Sequence, residues 1–149
     1  MEIILAENHG FCYGVKRAVE MADEAANSEG KSYTLGPIIH NPQVVGRLEN
    51  KGVSPIQEVA DIDEGTMIIR SHGVGPAIYA EAEEKGLHIL DATCPHVKKA
   101  QQDAKSVIED GMTLVILGEK NHPEVKSINL WANNKGIIIE DEKSAEKLQ

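Results

Sequence analysis

Residues 66–95 read TMIIRSHGVGPAIYAEAEEKGLHILDATCP, and this stretch decides the fold. Thr66–Arg70 is a short aliphatic run of the kind that forms a strand covered on both faces. A Ser-His-Gly turn follows, and Pro76 then opens a helix at a position where a missing N–H does no harm. Gly86 closes that helix. His88–Ala92 is a second aliphatic run, and Pro95 opens a long helix that stops at Gly111. Strand, helix, strand and helix at these lengths are the pattern of parallel βαβ units.

The same alternation extends in both directions. On the N-terminal side, Met1–Ala6 reads as a strand and Gly14–Asn27 as a helix with Val15, Ala18, Val19 and Ala22 on one face. Tyr33–Ile39 reads as a strand, Asn41-Pro42 as the start of a short helix ending near Gly52, and Val53–Ile56 as a short edge strand. Towards the C-terminus, the helix after Pro95 carries Val97, Ala100, Ala104, Val107 and Ile108 as its apolar face. Thr113–Gly118 is a strand, Pro123–Asn133 a helix, Gly136–Glu140 a strand, and Ser144–Gln149 the first turns of another helix. The expected class is α/β, a parallel β-sheet with flanking helices.

Composition agrees with this class. The 149 residues are 41% hydrophobic and 26% charged, as in a globular protein. Aromatic residues make up only 3%, so the core must be aliphatic. A net charge of −9 argues against general nucleic-acid binding. An acidic chain can still bind a phosphorylated ligand at a local site built from helix N-termini. No stretch approaches the length of a membrane span, and no basic segment precedes a long apolar one as in a secretory leader. The expected compartment is the cytoplasm. Two distant cysteines there suggest ligation or catalysis more than a disulfide.

Five expected junctions between an apolar run and a helix carry a cysteine or a histidine: Cys12, His40, His72, Cys94 and His122. Ligands of open parallel sheets collect at the carboxyl ends of the strands. Cys12 lies in Gly10-Phe11-Cys12-Tyr13-Gly14, and Cys94 in Asp91-Ala92-Thr93-Cys94-Pro95. A helix N-terminus favours the thiolate, which is the form that ligates metal or attacks an electrophile. The two cysteines can converge on one metal centre, form a disulfide, or each be inert. Two thiolates rarely complete a metal site, so a further ligand would be needed. His40, His72 and His122 suggest metal ligation or an anion clamp. Glu124, in a first helical turn, is a candidate general acid or a simple complement to the helix dipole. His9 carries low weight, His88 begins a strand at the wrong end of the sheet, and His96 reads as a solvated helix residue.

At these residues the chain resembles the 4-hydroxy-3-methylbut-2-enyl diphosphate reductase family, iron–sulfur enzymes of the non-mevalonate isoprenoid pathway. The resemblance is carried by GFCYGVKRA at 10–18, His40-Asn41, SHGV at 71–74, DATCP at 91–95 and HPE at 122–124. It implies that Cys12 and Cys94 are two of three thiolate ligands of a [4Fe–4S] cluster, whose fourth iron is left open for substrate. It also implies that His40, His72 and His122 line the diphosphate pocket. Glu124 would deliver a proton to the departing allylic hydroxyl, and the products would be isopentenyl and dimethylallyl diphosphate. The implied partners are an allylic diphosphate substrate and an electron donor such as ferredoxin or flavodoxin.

The resemblance further implies a three-lobed architecture. Residues 1–95 correspond to the first α/β lobe and residues 96–149 to an incomplete second lobe. The third lobe is absent, and the third cluster cysteine falls beyond Gln149 in the family pattern. The expectation is an N-terminal portion of the reductase. The competing expectation is a non-catalytic metal-binding α/β module in which Cys12, Cys94 and one histidine hold zinc. A third is a thiol enzyme or phosphate-ester binder with one activated cysteine.

Overall fold

The computed structural model describes residues 2–146 and 148. Its first helix, α1 (Tyr13–Ala26), leads to β1 (Ser32–Leu35), α2 (Pro42–Glu49), β2 (Val53–Ile56), a 3₁₀ turn at Val59–Asp61 and β3 (Thr66–Ile69). Then come α3 (Pro76–Glu84), β4 (His88–Asp91), α4 (Pro95–Glu109), β5 (Val115–Leu117), α5 (Pro123–Trp131), β6 (Ile137–Ile139) and α6 (Glu142–Ala145). Strands β1 to β4 form an all-parallel sheet in the order β2-β1-β3-β4, and β5 pairs with β6, again in parallel. The expected class is therefore the observed one.

Side chains of β3 alternate between two cores, as the period of a strand requires. Ile68 packs with Ala18, Val19 and Ala22 of α1 and Leu48 of α2 on one face. Met67 and Ile69 pack with Val59, Ile62, Ala82 and Leu87 on the other. Burial on both faces is what the aliphatic composition anticipated. The helix starts also lie where the sequence placed them: Pro42, Pro76, Pro95 and Pro123 each occupy the first turn of a helix. Asn41 caps α2 by accepting a hydrogen bond from the Val44 N–H at 3.0 Å.

Several expectations are corrected. Glu2–Ala6 form no strand: Ile3, Ile4 and Leu5 are 75%, 83% and 77% exposed. β-branched composition favours a strand only where a neighbour supplies the ladder, and none among the described residues pairs with this run. Met1 lies outside the described residues. Tyr33–Ile39 is cut to Ser32–Leu35 because Gly36, at φ +71°, turns the chain out of the sheet. Ile38 and Ile39 still reach the core.

Helix α5 stops at Trp131, ahead of Asn133 and Asn134, which take left-handed conformations at φ +52° and +58°. The last helix begins earlier than expected, at Glu142. Asp141 caps it, its carboxylate accepting from the Ser144 N–H while Ser144 Oγ accepts from the Asp141 N–H. Lys147 and Gln149, the remainder of that expectation, lie outside the described residues. The buried stripe of α4 is Val97, Gln101 and Ala104, whereas Ala100, Val107 and Ile108 are only half-buried. No helix among the described residues is long and apolar enough to cross a membrane.

Candidate functional site

Three turns at the carboxyl edge of the larger sheet are stitched together by backbone hydrogen bonds. The Ser71 N–H and hydroxyl both donate to the Ile38 carbonyl, at 3.4 and 3.3 Å. The Cys94 N–H donates to the Ser71 carbonyl at 2.9 Å, and the Ala92 N–H to the Ile69 carbonyl at 3.0 Å. These bonds continue the β1-β3-β4 order past the strand ends, so His40, His72 and Cys94 emerge side by side. His122 joins them as the N-cap of α5, the helix between β5 and β6.

The three imidazoles converge. One ring nitrogen from each of His40, His72 and His122 lies within 4.8 Å of the others. Ring centroids are 4.5 Å apart for His40–His72, 5.6 Å for His72–His122 and 6.0 Å for His40–His122. His40 is exposed and the other two are half-buried. Burial, aided by His40, Arg70 and His122, pushes the His72 pKa down from 6.5 to about 4, so His72 is neutral at pH 7. Its Nδ1 is buried and has no partner among the described residues. A small cavity of about 210 Å³ lies against His40, His72, Asn41, Ser71 and Phe11.

The state of His122 is set by its own helix. Its Nδ1 accepts a hydrogen bond from the Glu124 N–H at 3.2 Å. An accepting Nδ1 leaves the proton of the neutral ring on Nε2, which is then a donor. A donor suits an anion. A metal at Nε2 would move the proton to Nδ1 and break the cap.

The cysteines sit close by. Cys12 is the N-cap of α1 and Cys94 that of α4, and both are free thiols, Cys12 exposed and Cys94 half-buried. Cys94 packs on Gly14, two residues beyond Cys12. A Cβ at Gly14 would stand 2.5 Å from Cys94 Sγ. Arg17 ties the two helix starts together by donating from Nη1 to the Thr93 carbonyl at 3.2 Å and from Nη2 to the Asp91 carbonyl at 3.4 Å. Asp91 holds the turn before Cys94 by accepting from the Thr93 N–H at 3.0 Å and from Lys98 Nζ at 2.6 Å. Burial opposes the Asp91 charge, but Lys98 and Thr93 outweigh it and hold its pKa below the ordinary carboxylate value. Tyr79, which donates to Asp91 at 3.1 Å, has its pKa pushed up to about 12 by burial and by that carboxylate.

One expected junction does not exist as such, because Cys12 follows an exposed segment that forms no strand. His9 is exposed beside the Ala6 carbonyl, His88 begins β4 at the far end of the sheet, and His96 is exposed. Glu124 is half-buried in the first turn of α5, two residues from His122. Sequence reasoning missed the supports. Gln101 Nε2 of α4 donates to Ser127 Oγ of α5 at 3.2 Å, and Ser127 Oγ donates to the His72 carbonyl at 2.7 Å. Trp131 Nε1 donates to the Val74 carbonyl at 2.9 Å. The available signal was a glutamine inside the apolar face of α4, where an unpaired amide would be costly.

Residues 3–149 match the LytB protein family. A 4-hydroxy-3-methylbut-2-enyl diphosphate reductase of Geobacter metallireducens is 51% identical over 148 residues, covering 99% of this chain and 52% of that protein. One of Pelobacter propionicus is 50% identical over 148 residues, covering 99% and 53%. The solved structure of an (E)-4-hydroxy-3-methyl-but-2-enyl diphosphate reductase, the terminal enzyme of the non-mevalonate pathway, is similar at a TM-score of 0.81 and 49% identity. That similarity covers 95% of this chain and 52% of the other. The E-1-hydroxy-2-methyl-but-2-enyl-4-diphosphate reductase of Plasmodium falciparum is similar at a TM-score of 0.91 and 32% identity, covering 96% and 46%. The chain spans about half the length of the curated relatives it matches. With its parallel α/β sheet and a family match over residues 3–149, the chain belongs to the LytB protein family.

Proposed function

We infer that this chain carries part of the active site of a 4-hydroxy-3-methylbut-2-enyl diphosphate reductase, with one wall for the diphosphate and two thiolates for an iron–sulfur cluster. The observation that carries the reading is the meeting of three imidazoles from three separate turns beside two cysteine-capped helices. His122 presents an Nε2–H, and neutral His72 gives an N–H to a ligand in its Nε2–H tautomer, since its Nδ1 is buried. The N-termini of α2 and α5 flank the set, so their dipoles add to its attraction for anions.

The donor set at Cys12 and Cys94 fits a thiolate-held cluster. Both are soft ligands at helix N-caps, and Gly14 leaves room for Cys94 that a Cβ would fill. Cys12 and Cys94 would hold a [4Fe–4S] cluster, which when bound would relay the two electrons of the reduction one at a time from an external donor. His40, His72 and His122 fix the diphosphate and so orient the allylic hydroxyl. The Glu124 carboxyl gives that oxygen a proton, the C–O bond breaks, and the oxygen leaves as water. A second proton from solvent completes the isopentenyl or dimethylallyl product. Electrons come from a small carrier of the ferredoxin or flavodoxin kind, in the cytoplasm. On this reading residues 1–95 form one lobe and residues 96–149 part of a second. The third thiolate and the remaining pocket wall belong to the length of the relatives that this chain does not span.

Anoxic reconstitution with iron and sulfide tests the reading, with metal and sulfide analysis and assay against the allylic diphosphate. The chain supplemented with the remaining portion of a relative should assemble a cluster and reduce substrate. Loss of either property on changing Cys12 or Cys94 to Ser is expected. One zinc without sulfide would support the metal-binding module and overturn the reductase. The proximity of the three imidazoles also admits a cation, but occupancy of all three would cost the His122 cap of α5.

A further inference from the structure

A second cavity, of about 280 Å³, opens on the other side of the 70–75 turn and shares no lining residue with the histidine cavity. Its charged lining residues are Arg70 and Lys126, and no carboxylate lines it. That is unexpected in a chain with 24 acidic and 15 basic residues. Arg17 donates to two carbonyls and Arg47 pairs with Asp23, but the Arg70 guanidinium makes no hydrogen bond or ion pair among the described residues. Arg70 Nε is buried with no partner. Burial also draws the Arg70 pKa down. The guanidinium rests on Gly36, where a Cβ would stand 2.9 Å from Nη1, so the fork occupies a place kept clear for it.

A half-buried cation without a counter-charge is unfavourable, and oxyanions satisfy a guanidinium fork best through paired hydrogen bonds. We propose that this cavity binds a small organic oxyanion, its head held by Arg70 and Lys126 and its short apolar body against Leu35, Val74, Ile78 and Leu130. A bare inorganic ion would leave the apolar wall unused. The head can be a phosphate or a carboxylate, which share the chemistry that the fork recognises. The site is separate from the histidine pocket and stands whether or not the reductase reading does.

The test is titration of the chain with propyl phosphate and with butyrate, followed by calorimetry and by amide NMR shifts. Saturable binding of either probe, with shifts at residues 35–36, 73–78 and 126–130, is the expected result, and the probe that binds tells phosphate from carboxylate. Lys126→Ala, at an exposed position that does not threaten folding, should weaken binding roughly tenfold, the loss of one charge-assisted hydrogen bond. Arg70→Lys should weaken it by a similar factor by removing the fork. His40→Ala should leave the affinity read from the shifts at residues 35–36, 73–78 and 126–130 unchanged. Absence of saturable binding by both probes would overturn the proposal. So would shifts confined to residues near His40, His72 and His122 with unchanged affinity in the Lys126 variant.

Discussion

Replacing Ser127 with Ala removes one hydroxyl and strands the buried Gln101 amide and the part-buried His72 carbonyl. Ser127 is 2% and Gln101 1% exposed. The hydroxyl receives from Gln101 Nε2 at 3.2 Å and lies 2.7 Å from the His72 carbonyl. A lost hydrogen bond removes about 1 kcal/mol, and a buried donor left unsatisfied adds about 1–3 kcal/mol. The expected destabilisation is about 2–4 kcal/mol, which for a domain of this size lowers Tm by about 6–13 °C. Trp131, the single tryptophan, bonds to the Val74 carbonyl on the same helix and reports the change by fluorescence during urea unfolding. Removing the amide as well, in Gln101→Leu/Ser127→Ala, should recover about 1 kcal/mol relative to the sum of the single changes. A single-variant effect below about 0.5 kcal/mol, or strict additivity, would refute the assignment of this bridge as the fastening between α4, α5 and the His72 turn.

Gly14→Ala places a methyl group 2.5 Å from Cys94 Sγ, so the thiol must shift; its reaction with a disulfide reagent should change rate, and an unchanged rate would count against the packing. His72 resists protonation in the fold while the unfolded chain takes a proton near 6.5. Stability should therefore rise with pH between about 4 and 6.5, and His72→Gln should flatten that slope in urea midpoints. Asn41→Ala removes the cap of α2 and should destabilise by about 1 kcal/mol. Deletion of residues 2–6, exposed and unpaired, should change stability by less than about 0.5 kcal/mol, and a larger loss would mean that this segment does pair.

Local chemistry made much of this legible. Prolines mark four helix starts, and Asn41 caps one of them, because those positions are decided by backbone valence within a single turn. The aliphatic run at 66–69 is a strand because burial on both faces leaves no other use for it, and the run at 88–91 pairs with it as a half-buried edge strand. Residues 2–6 failed as a strand because a ladder is a property of two segments and composition speaks for only one. Tyr33–Ile39 ran long because the pattern ignores the positive φ of a single glycine. The histidines of three turns could be read as sharing an edge, but their approach depends on α5 docking against the 71–75 turn. That docking uses Gln101 and Ser127, whose partners lie on other elements and are not visible in any local pattern. Arg70 read as the last residue of a strand, and only the tertiary structure leaves it without a counter-charge.

The attachment of α5 has a consequence for how long the site persists. His72 and His40 ride on the doubly covered sheet, but His122 rides on a nine-residue helix that meets it through Ser127, Trp131 and the packing of Leu130 on Gly75. Proteins open in cooperative pieces of unequal stability, and the exchange of amide hydrogens measures each piece. Protection of the α5 amides, more than that of β1 and β3, sets the fraction of time in which the three imidazoles stand together. Any molecule that bridges His122 to His72 must therefore slow exchange in α5 by the same factor by which it favours the closed arrangement.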